Sequence, residues 1–308
     1  SFNWRYLLRL VELTRREKVD LIQSHLLGSN VYCSLAGLIT RRPVVATFHG
    51  TVDIDNVEKL GGLKFGLINT GASCVVAVSD SLRRDIADNT SLRMSKTELI
   101  YNGIVTADYR RPRSNALRQK YEWSDDEIIV GSLGNIRPAK GYDILLQAAA
   151  LLEQNPRSYR FVIAGQCNTR LYDEMVELRH KLGLDDRVLF LGFMEDAADF
   201  LSSVDLFLSS SISEGLPLSA IQAMVAGLPI VATRCGGYLE LVTDRENGWL
   251  VDIGDPQAIA DAIEHLSADK ELREVLGKQA RKHAIETFDM TVMLEHYEKI
   301  YERSMAGR

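Results

Sequence analysis

Short apolar runs rich in Val and Ile alternate along this chain with longer stretches of helical periodicity. The runs are too short for helices, and this alternation is the signature of βαβ units, in which helices join parallel strands. Ten strands are predicted, at about residues 20–25, 43–49, 74–79, 97–102, 127–133, 159–165, 188–191, 206–210, 229–233 and 248–251. The sequence therefore predicts an α/β protein built on parallel sheets.

A segment with little apolar periodicity follows the first four predicted strands. Residues 103–126 contain Pro112 and several arginines, a composition that suits an interdomain linker. The 308 residues are enough for two domains with separate cores. We predict a first domain over residues 1–112, a second over 113–288, and a last helical segment over 289–308 that packs back onto the first domain.

The chain begins with a predicted helix rather than a strand. Residues 1–19 have helical periodicity and contain no initiator Met. Because a βαβ pattern opens with a strand, we expect the first domain to be incomplete, without its first βαβ element.

Charge is distributed unevenly along the chain. Residues 1–112 hold 15 Lys and Arg against 11 Asp and Glu, and residues 113–308 hold 21 against 31. The basic first part could contact an anionic membrane surface, and a solvated charged face accounts for it equally well.

No apolar run approaches the roughly 20 residues of a membrane span, and no secretory signal opens the chain. We predict a cytoplasmic protein, with peripheral contact at the inner face of the membrane as the alternative, and no nucleic-acid partner.

The segment from Ser213 to Pro229 is typical of a strand end, an acidic loop, a helix and the next strand. Pro217 suits the first helical turn, and Gly227 suits the position just past the helix end. Free N–H groups at a helix start favour an anion such as a diphosphate, and parallel α/β sheets bind ligands at this edge. The segment therefore predicts a diphosphate site at about residues 215–218.

A second motif, Gly134 to Gly141, lies between a predicted buried strand and a predicted helix. It contains two cations, Arg137 and Lys140, which both follow the carboxyl end of the same predicted strand. Arg and Lys in such positions bind a diphosphate by charge-assisted hydrogen bonds and need no metal. A solvated surface loop is the simpler alternative for this segment.

Two predicted strands of the first domain end in histidine. His25 closes the first, and His49 closes the second within the segment TFHG. Both side chains are expected at the carboxyl edge of the sheet, where ligands bind. Since a lone histidine is usually structural, we predict a structural role for His25.

Several other enzyme classes are not supported. No G-x-G-x-x-G follows a predicted strand and no G-x-x-x-x-G-K-[ST] occurs, which argues against nicotinamide and P-loop sites. The triplet Asp53-Ile54-Asp55 is a D-x-D of the kind found in metal-dependent transferases, but such triplets are common by chance. The sequence also lacks a convincing pair of catalytic carboxylates for glycoside hydrolysis. We therefore predict no metal site.

The segment SEGLPLSAIQAMVAGLPIVAT resembles the donor motif of glycosyltransferase family 4, whose usual form is Glu, seven residues, Glu. Glu214 matches the first glutamate, which in that family lies by the donor sugar. Gln222 stands where the family has the second glutamate, which bonds the nucleotide ribose. An amide can still donate and accept hydrogen bonds there.

Two further segments carry the same resemblance. Residues 134–141 are similar to the family's diphosphate loop, with Lys140 aligned. Asn135 stands at the family's usual arginine position, so Arg137 is the expected substitute. His49 matches the family's histidine that faces the donor sugar and the acceptor.

The resemblance covers about residues 18–303 and implies two facing Rossmann-like, doubly wound domains, the GT-B fold, with the first domain incomplete. It implies a retaining, metal-independent hexosyltransferase of the kind used in polysaccharide biosynthesis. The donor would be a UDP-, GDP- or ADP-linked sugar, which is a co-substrate, so no cofactor is expected. The acceptor would be a glycan, a lipid-linked molecule or a small molecule.

The resemblance also implies roles for individual residues. The implied catalytic residues are His49, Arg137, Lys140 and Glu214. The implied donor-binding residues are Asn135, Gly215, Leu216, Pro217, Leu218 and Gln222.

Two alternatives stay open at this point. One is a nucleotide-sugar-binding protein without transferase activity, to which the departures at Asn135 and Gln222 point. The other is a different GT-B enzyme, such as a sugar-nucleotide epimerase or a phosphorylase. A first domain without its first βαβ element is also expected to impair sugar transfer more than nucleotide binding, because transfer depends on orientation.

Overall fold

A computed structural model of the protein describes residues 2–50, 54, 61–153, 155, 157–167 and 170–306. The chain divides into two compact units, Ser1–Gly103 with Thr291–Arg308, and Ile104–Met290. Residues 104–112, which the sequence assigned to the first domain, therefore group with the second unit. Within the described residues all ten predicted strands are present, and every strand pair is parallel.

The first unit contains a four-stranded sheet in the order β1-β2-β3-β4. Its strands are β1 (Ile22–His25), β2 (Val44–Phe48), β3 (Cys74–Ala77) and β4 (Thr97–Leu99). Its described helices are α1 (Trp4–Arg16), α2 (Leu27–Thr40), α3 (Gly61–Gly71), α4 (Asp80–Asn89) and, at the end of the chain, α13 (Met290–Ala306).

The two faces of this first sheet are covered by different parts of the chain. Alternate strand residues such as Ala46 and Val75 pack in a core with α2, α3 and α4, while α1 adds a smaller cluster beside α2. The other strand residues, including Val45 and Val76, pack against Tyr297 of α13. Because α13 follows the second unit in the chain, one face of the first sheet is covered by a helix from beyond that unit.

The second unit contains a six-stranded sheet in the order β10-β9-β8-β5-β6-β7. Its strands are β5 (Ile128–Leu133), β6 (Tyr159–Ala164), β7 (Val188–Gly192), β8 (Leu206–Ser209), β9 (Ile230–Thr233) and β10 (Trp249–Val251). Its helices are α5 (Ala116–Tyr121), α6 (Tyr142–Leu151), α7 (Arg170–Lys181), α8 (Ala197–Ser202), α9 (Leu218–Ala226), α10 (Tyr238–Leu241), α11 (Pro256–Ala268) and α12 (Lys270–Phe288).

The order of the second sheet reverses between β5 and β8. The chain first adds β6 and β7 on one side of β5, then returns to add β8, β9 and β10 on the other side. Helices α6, α7 and α11 contribute to a core on one face, and α9 and α12 pack together on β9. This is the doubly wound arrangement, whose reversal opens a crevice at the carboxyl ends of the central strands.

Candidate active site

The carboxyl ends of β5 to β8 surround a cleft of about 410 Å³ in the second unit. It lies at the reversal of the sheet, between β5 and β8. The structure brings eight of the ten predicted site residues together here, while Gly215 lies in the same loop and His49 belongs to the first unit. The described lining is Leu133, Gly134, Asn135, Arg137, Lys140, Ala164, Gly165, Phe193, Met194, Ala197, Glu214, Leu216, Pro217, Leu218, Ser219 and Gln222.

A larger depression, of about 850 Å³, lies at the opposite edge of the same sheet. Its lining includes Glu127 and Ser158, which immediately precede β5 and β6. Parallel α/β sheets bind ligands at the carboxyl ends of their strands. The smaller cleft is therefore the candidate site.

Lys140 and Glu214 form an ion pair in this cleft. Nζ of Lys140 lies 2.7 Å from Oε1 of Glu214, and the two side chains are 21% and 15% exposed. The hydroxyl of Ser211 donates to the same carboxylate oxygen at 2.9 Å. Because partial burial strengthens the attraction between charges relative to water, these contacts hold both loop side chains in one geometry.

Gly134 makes room for Lys140. A Cβ atom at Gly134 would lie 2.8 Å from Cε of Lys140. The hydroxyl of Tyr142 donates to the carbonyl of Gly134 at 2.8 Å. Burial raises the pKa of Tyr142 well above its ordinary value, so this donor keeps its proton. The loop after β5 is therefore fixed on both sides of Lys140.

The loop that carries Glu214 is packed against a pair of glycines after β9. A Cβ at Gly236 would lie 1.8 Å from the carbonyl oxygen of Glu214, and one at Gly237 would lie 2.0 Å from that of Gly215. Gly236 also has a φ of +43°, which other residues rarely adopt. Sequence analysis missed this support, although two adjacent glycines shortly after the predicted strand 229–233 were a usable signal.

Asn135 and Arg137 occupy different environments in the cleft. Oδ1 of Asn135 accepts a hydrogen bond from the backbone N–H of Gln166 at 3.0 Å, so this side chain ties the loop after β5 to the loop after β6. The side chain of Arg137 is exposed to solvent. Of the two cations predicted from one strand end, only Lys140 is thus fixed by a described ion pair.

Helix α9 starts at the cleft without a side-chain cap. Pro217 is the N-cap residue rather than part of the first turn, which corrects the prediction, because its ψ of 99° is extended rather than helical. The N–H groups of Ala220 and Ile221 donate to the carbonyl of Pro217. Those of Leu218 and Ser219 precede them in the first turn, and both residues line the cleft. Such N–H groups attract anions.

Gln222 contacts a residue that the sequence assigned to the linker. Its Nε2 donates to the hydroxyl of Tyr109 at 2.8 Å. Burial, and then the negative charge of Asp108, raise the pKa of Tyr109 above its ordinary value. Sequence analysis did not select Tyr109, because no apolar periodicity connects its segment to the cleft.

In the first unit, His49 follows β2 and lies beside His25. Nδ1 of His25 is 2.8 Å from Nε2 of His49. At this distance one ring nitrogen donates a hydrogen bond and the other accepts it. His25 is exposed, so it is not the core histidine that a purely structural role would favour.

Among the residues that the structure describes, no group of three or more His, Cys, Asp and Glu side chains could hold a metal ion. Asp53 and Asp55 of the D-x-D triplet lie outside those residues. No described helix is both long and apolar enough to cross a membrane.

The geometry of the cleft defines a class of ligand. The helix start and Lys140 suit phosphate oxygens. Glu214 and Gln222 offer oxygen acceptors that suit hydroxyl groups. The cleft of this α/β fold thus suits a phosphorylated ligand that carries hydroxyl groups.

Family comparisons identify the class more narrowly. Residues 113–283 match the family Glycosyl transferases group 1, and residues 1–108 match Glycosyltransferase Family 4. The first match covers more than half of the chain. The protein belongs to the glycosyl transferase group 1 family, which confirms the family that its motifs resemble.

Two curated relatives match most of the chain. N-acetyl-alpha-D-glucosaminyl L-malate synthase of Bacillus anthracis is 27% identical over 95% of this chain and 77% of its own length. D-inositol 3-phosphate glycosyltransferase of Salinispora arenicola is 30% identical over 90% of this chain and 68% of its own length.

Solved structures confirm the GT-B fold class. Anabaena Alr3699/HepE in complex with UDP superposes with a TM-score of 0.88 at 27% identity, over 96% of this chain and 82% of that one. The same protein with UDP-glucose gives a TM-score of 0.85. The predicted α/β class with two parallel sheets is thus confirmed.

Proposed function

We propose that this chain is a retaining, metal-independent glycosyltransferase that moves a hexose-type sugar from a nucleoside-diphosphate sugar to a glycan, lipid-linked or small-molecule acceptor. The observation that carries the proposal is the Lys140–Glu214 ion pair beside the uncapped start of α9. The pair brings a cation for the diphosphate and an acceptor for sugar hydroxyls into one cleft.

The two partners of the ion pair are suited to different parts of the donor. An ammonium group has three N–H donors, and the bond to Glu214 uses one of them. The described contacts of Glu214 fall on Oε1, which leaves Oε2 to accept a bond from a donor-sugar hydroxyl. We therefore assign Lys140 to the diphosphate and Glu214 to the sugar.

Leaving-group stabilisation follows from the same arrangement. As the bond to the sugar breaks, the diphosphate gains negative charge. Preorganised donors stabilise such charge without reorganising during the reaction. Lys140 and the N–H groups at residues 218–219 supply them, and Arg137 adds a solvent-exposed cation. We propose front-face attack, in which the departing phosphate helps to take the proton of the acceptor hydroxyl and no protein nucleophile is required.

Other assignments are proposed on the family resemblance. His49 is proposed to face the donor sugar and the acceptor. Asn135 and residues 215–218 are proposed to bind the donor. The complexes of HepE with UDP and UDP-glucose favour a UDP-linked donor among the three nucleotides considered. We propose a cytoplasmic site of action, with an anionic membrane surface as a peripheral contact.

A thermal-shift panel of UDP-, GDP- and ADP-sugars tests the donor site. A ligand at a hundredfold excess over its dissociation constant stabilises by about 2.7 kcal/mol, so a true donor separates clearly from uridine and glucose controls. If none of these sugars raises the Tm, the donor site is wrong.

Product analysis tests the reaction. Transfer to an acceptor with the donor's anomeric configuration, read by NMR, is the expected result. Conversion of the donor alone would instead indicate an epimerase, and turnover of a glucan with phosphate would indicate a phosphorylase. Donor binding without any of these reactions would favour the binding-protein alternative.

A further inference from the structure

The side-chain amide of Gln222 can meet a ligand with either of two different ends, whereas a glutamate carboxylate at the same position has two equivalent oxygens. A carboxylate has two equivalent acceptor oxygens, whereas an amide has one acceptor end and one donor end. An amide that turns freely offers its two ends to a ligand in either order. What fixes the amide of Gln222 therefore decides which end meets a nucleotide in the cleft.

The group that contacts this amide in the structure is Tyr109. Nε2 of Gln222 donates to its hydroxyl at 2.8 Å. With the donor end engaged, the acceptor end, Oε1, remains for the cleft that Gln222 lines. Burial and the neighbouring Asp108 raise the pKa of Tyr109, so the partner is a neutral phenol at physiological pH.

Tyr109 is itself held in place from both sides. Upstream, the hydroxyl of Thr106 donates to the carboxylate of Asp289. Downstream, the guanidinium of Arg111 lies 2.9 Å from a carboxylate oxygen of Asp196, the N-cap residue of α8. All of these residues belong to the second unit. The segment therefore presents the phenol from a fixed backbone.

We propose that Tyr109 is a positioning residue of the donor site, which orients the amide of Gln222 so that Oε1 accepts hydrogen bonds from the ribose hydroxyls of the nucleotide. The pair of Tyr109 and Gln222 then presents a hydrogen-bond acceptor to the ribose, as a single glutamate would. This inference rests on the proposed function and extends it to a residue outside the family motif.

The test measures preference for the ribose hydroxyls rather than affinity alone. Calorimetry gives dissociation constants for UDP, GDP and ADP and for the 2′-deoxy form of whichever binds best. The wild-type chain should prefer the ribonucleotide. Tyr109→Phe should lose about 3- to 10-fold in affinity for it, the range expected of one neutral hydrogen bond, with little change for the deoxy form.

A rescue variant distinguishes positioning from damage. Tyr109→Phe combined with Gln222→Glu should recover the preference, because a carboxylate needs no partner to present an acceptor. Tyr121→Phe is the matched control, since Tyr121 stacks on Trp123 before β5 and does not line the cleft.

The outcomes separate this inference from the proposed function. An unchanged ribose preference in Tyr109→Phe, an equal loss for both nucleotides, or a double variant that stays impaired would overturn the role of Tyr109 alone. If the folded wild-type chain binds none of the three nucleotides, the donor site and this inference both fail.

Discussion

The two sheets of this protein end in different kinds of carboxyl edge. In the first unit the strands follow chain order, and the edge carries the hydrogen-bonded pair of His25 and His49. In the second unit the order reverses between β5 and β8, and the edge carries the Lys140–Glu214 ion pair in a cleft of about 410 Å³. Polar strand ends occur on both sheets, so residue type alone does not make the anion site.

The reversal accounts for the difference. Where neighbouring strands send their chains to opposite faces, the loops part and leave a crevice. In the second unit, the loops after β5 and β8 carry Lys140 and Glu214, and the start of α9 adds backbone donors. We therefore expect substitutions at the carboxyl edge of the second sheet to weaken nucleotide binding. The loss should be largest where the structure holds the substituted group most firmly.

The largest effect is expected from Gly236→Ala. Its Cβ would lie 1.8 Å from the carbonyl oxygen of Glu214, at a φ of +43°. Clash and backbone strain together should cost about 2–4 kcal/mol, lowering the Tm by about 5–15 °C. Gly254→Ala is the control, because it also has a positive φ, of +78°, but no neighbouring atom within 4 Å of the new Cβ. Equal losses in the two variants would show that the loop contact is unimportant.

Lys140→Ala comes next. Charge-assisted hydrogen bonds contribute about 1.5–3 kcal/mol, so affinity for a nucleoside diphosphate should fall about 10- to 150-fold by calorimetry. Lys181→Ala removes an exposed lysine from α7, paired with Glu177, and should leave affinity unchanged. A Lys140→Ala chain that binds UDP like the wild type would refute the assignment of Lys140 to the diphosphate.

Arg137→Ala should have a smaller effect, because its side chain is exposed and water screens its charge. We expect a loss of about 3- to 10-fold in nucleoside-diphosphate affinity, which should shrink as salt is raised. Arg170→Ala, at a 93% exposed side chain on α7, is the matched control. A greater loss than that of Lys140→Ala would reverse the ranking of the two cations.

Chelation should have no effect. If cations and helix N–H groups stabilise the leaving group, sugar transfer in excess EDTA should match transfer in buffer. Activity that EDTA abolishes and Mn²⁺ or Mg²⁺ restores would disprove metal independence.

The strands and the two motifs were predictable from the sequence because each depends on local patterns. All ten strands appear, most of them one to three residues shorter than predicted. The strand order was not predictable in this way, because an apolar run does not specify its neighbours. It took the family resemblance to imply the doubly wound arrangement of the second sheet.

Contacts between distant segments were the least predictable part of the site. Gly236 supports Glu214 across 22 residues, and Tyr109 reaches Gln222 across 113. The approach of His25 to His49 depends in the same way on the pairing of β1 with β2. None of these contacts has a periodicity of its own, so only the folded chain reveals them.

The covering of the first sheet by α13 has a consequence for synthesis. The apolar face that contains Val45 and Val76 packs against Tyr297 and Ile300. Between that face and its cover lie all 187 residues of the second unit, 104–290. A chain emerging from the ribosome from its N-terminus can complete the second unit before α13 exists. The first sheet therefore precedes the helix that covers one of its faces by the whole second unit, and until α13 is made that face stays open to water or to a chaperone.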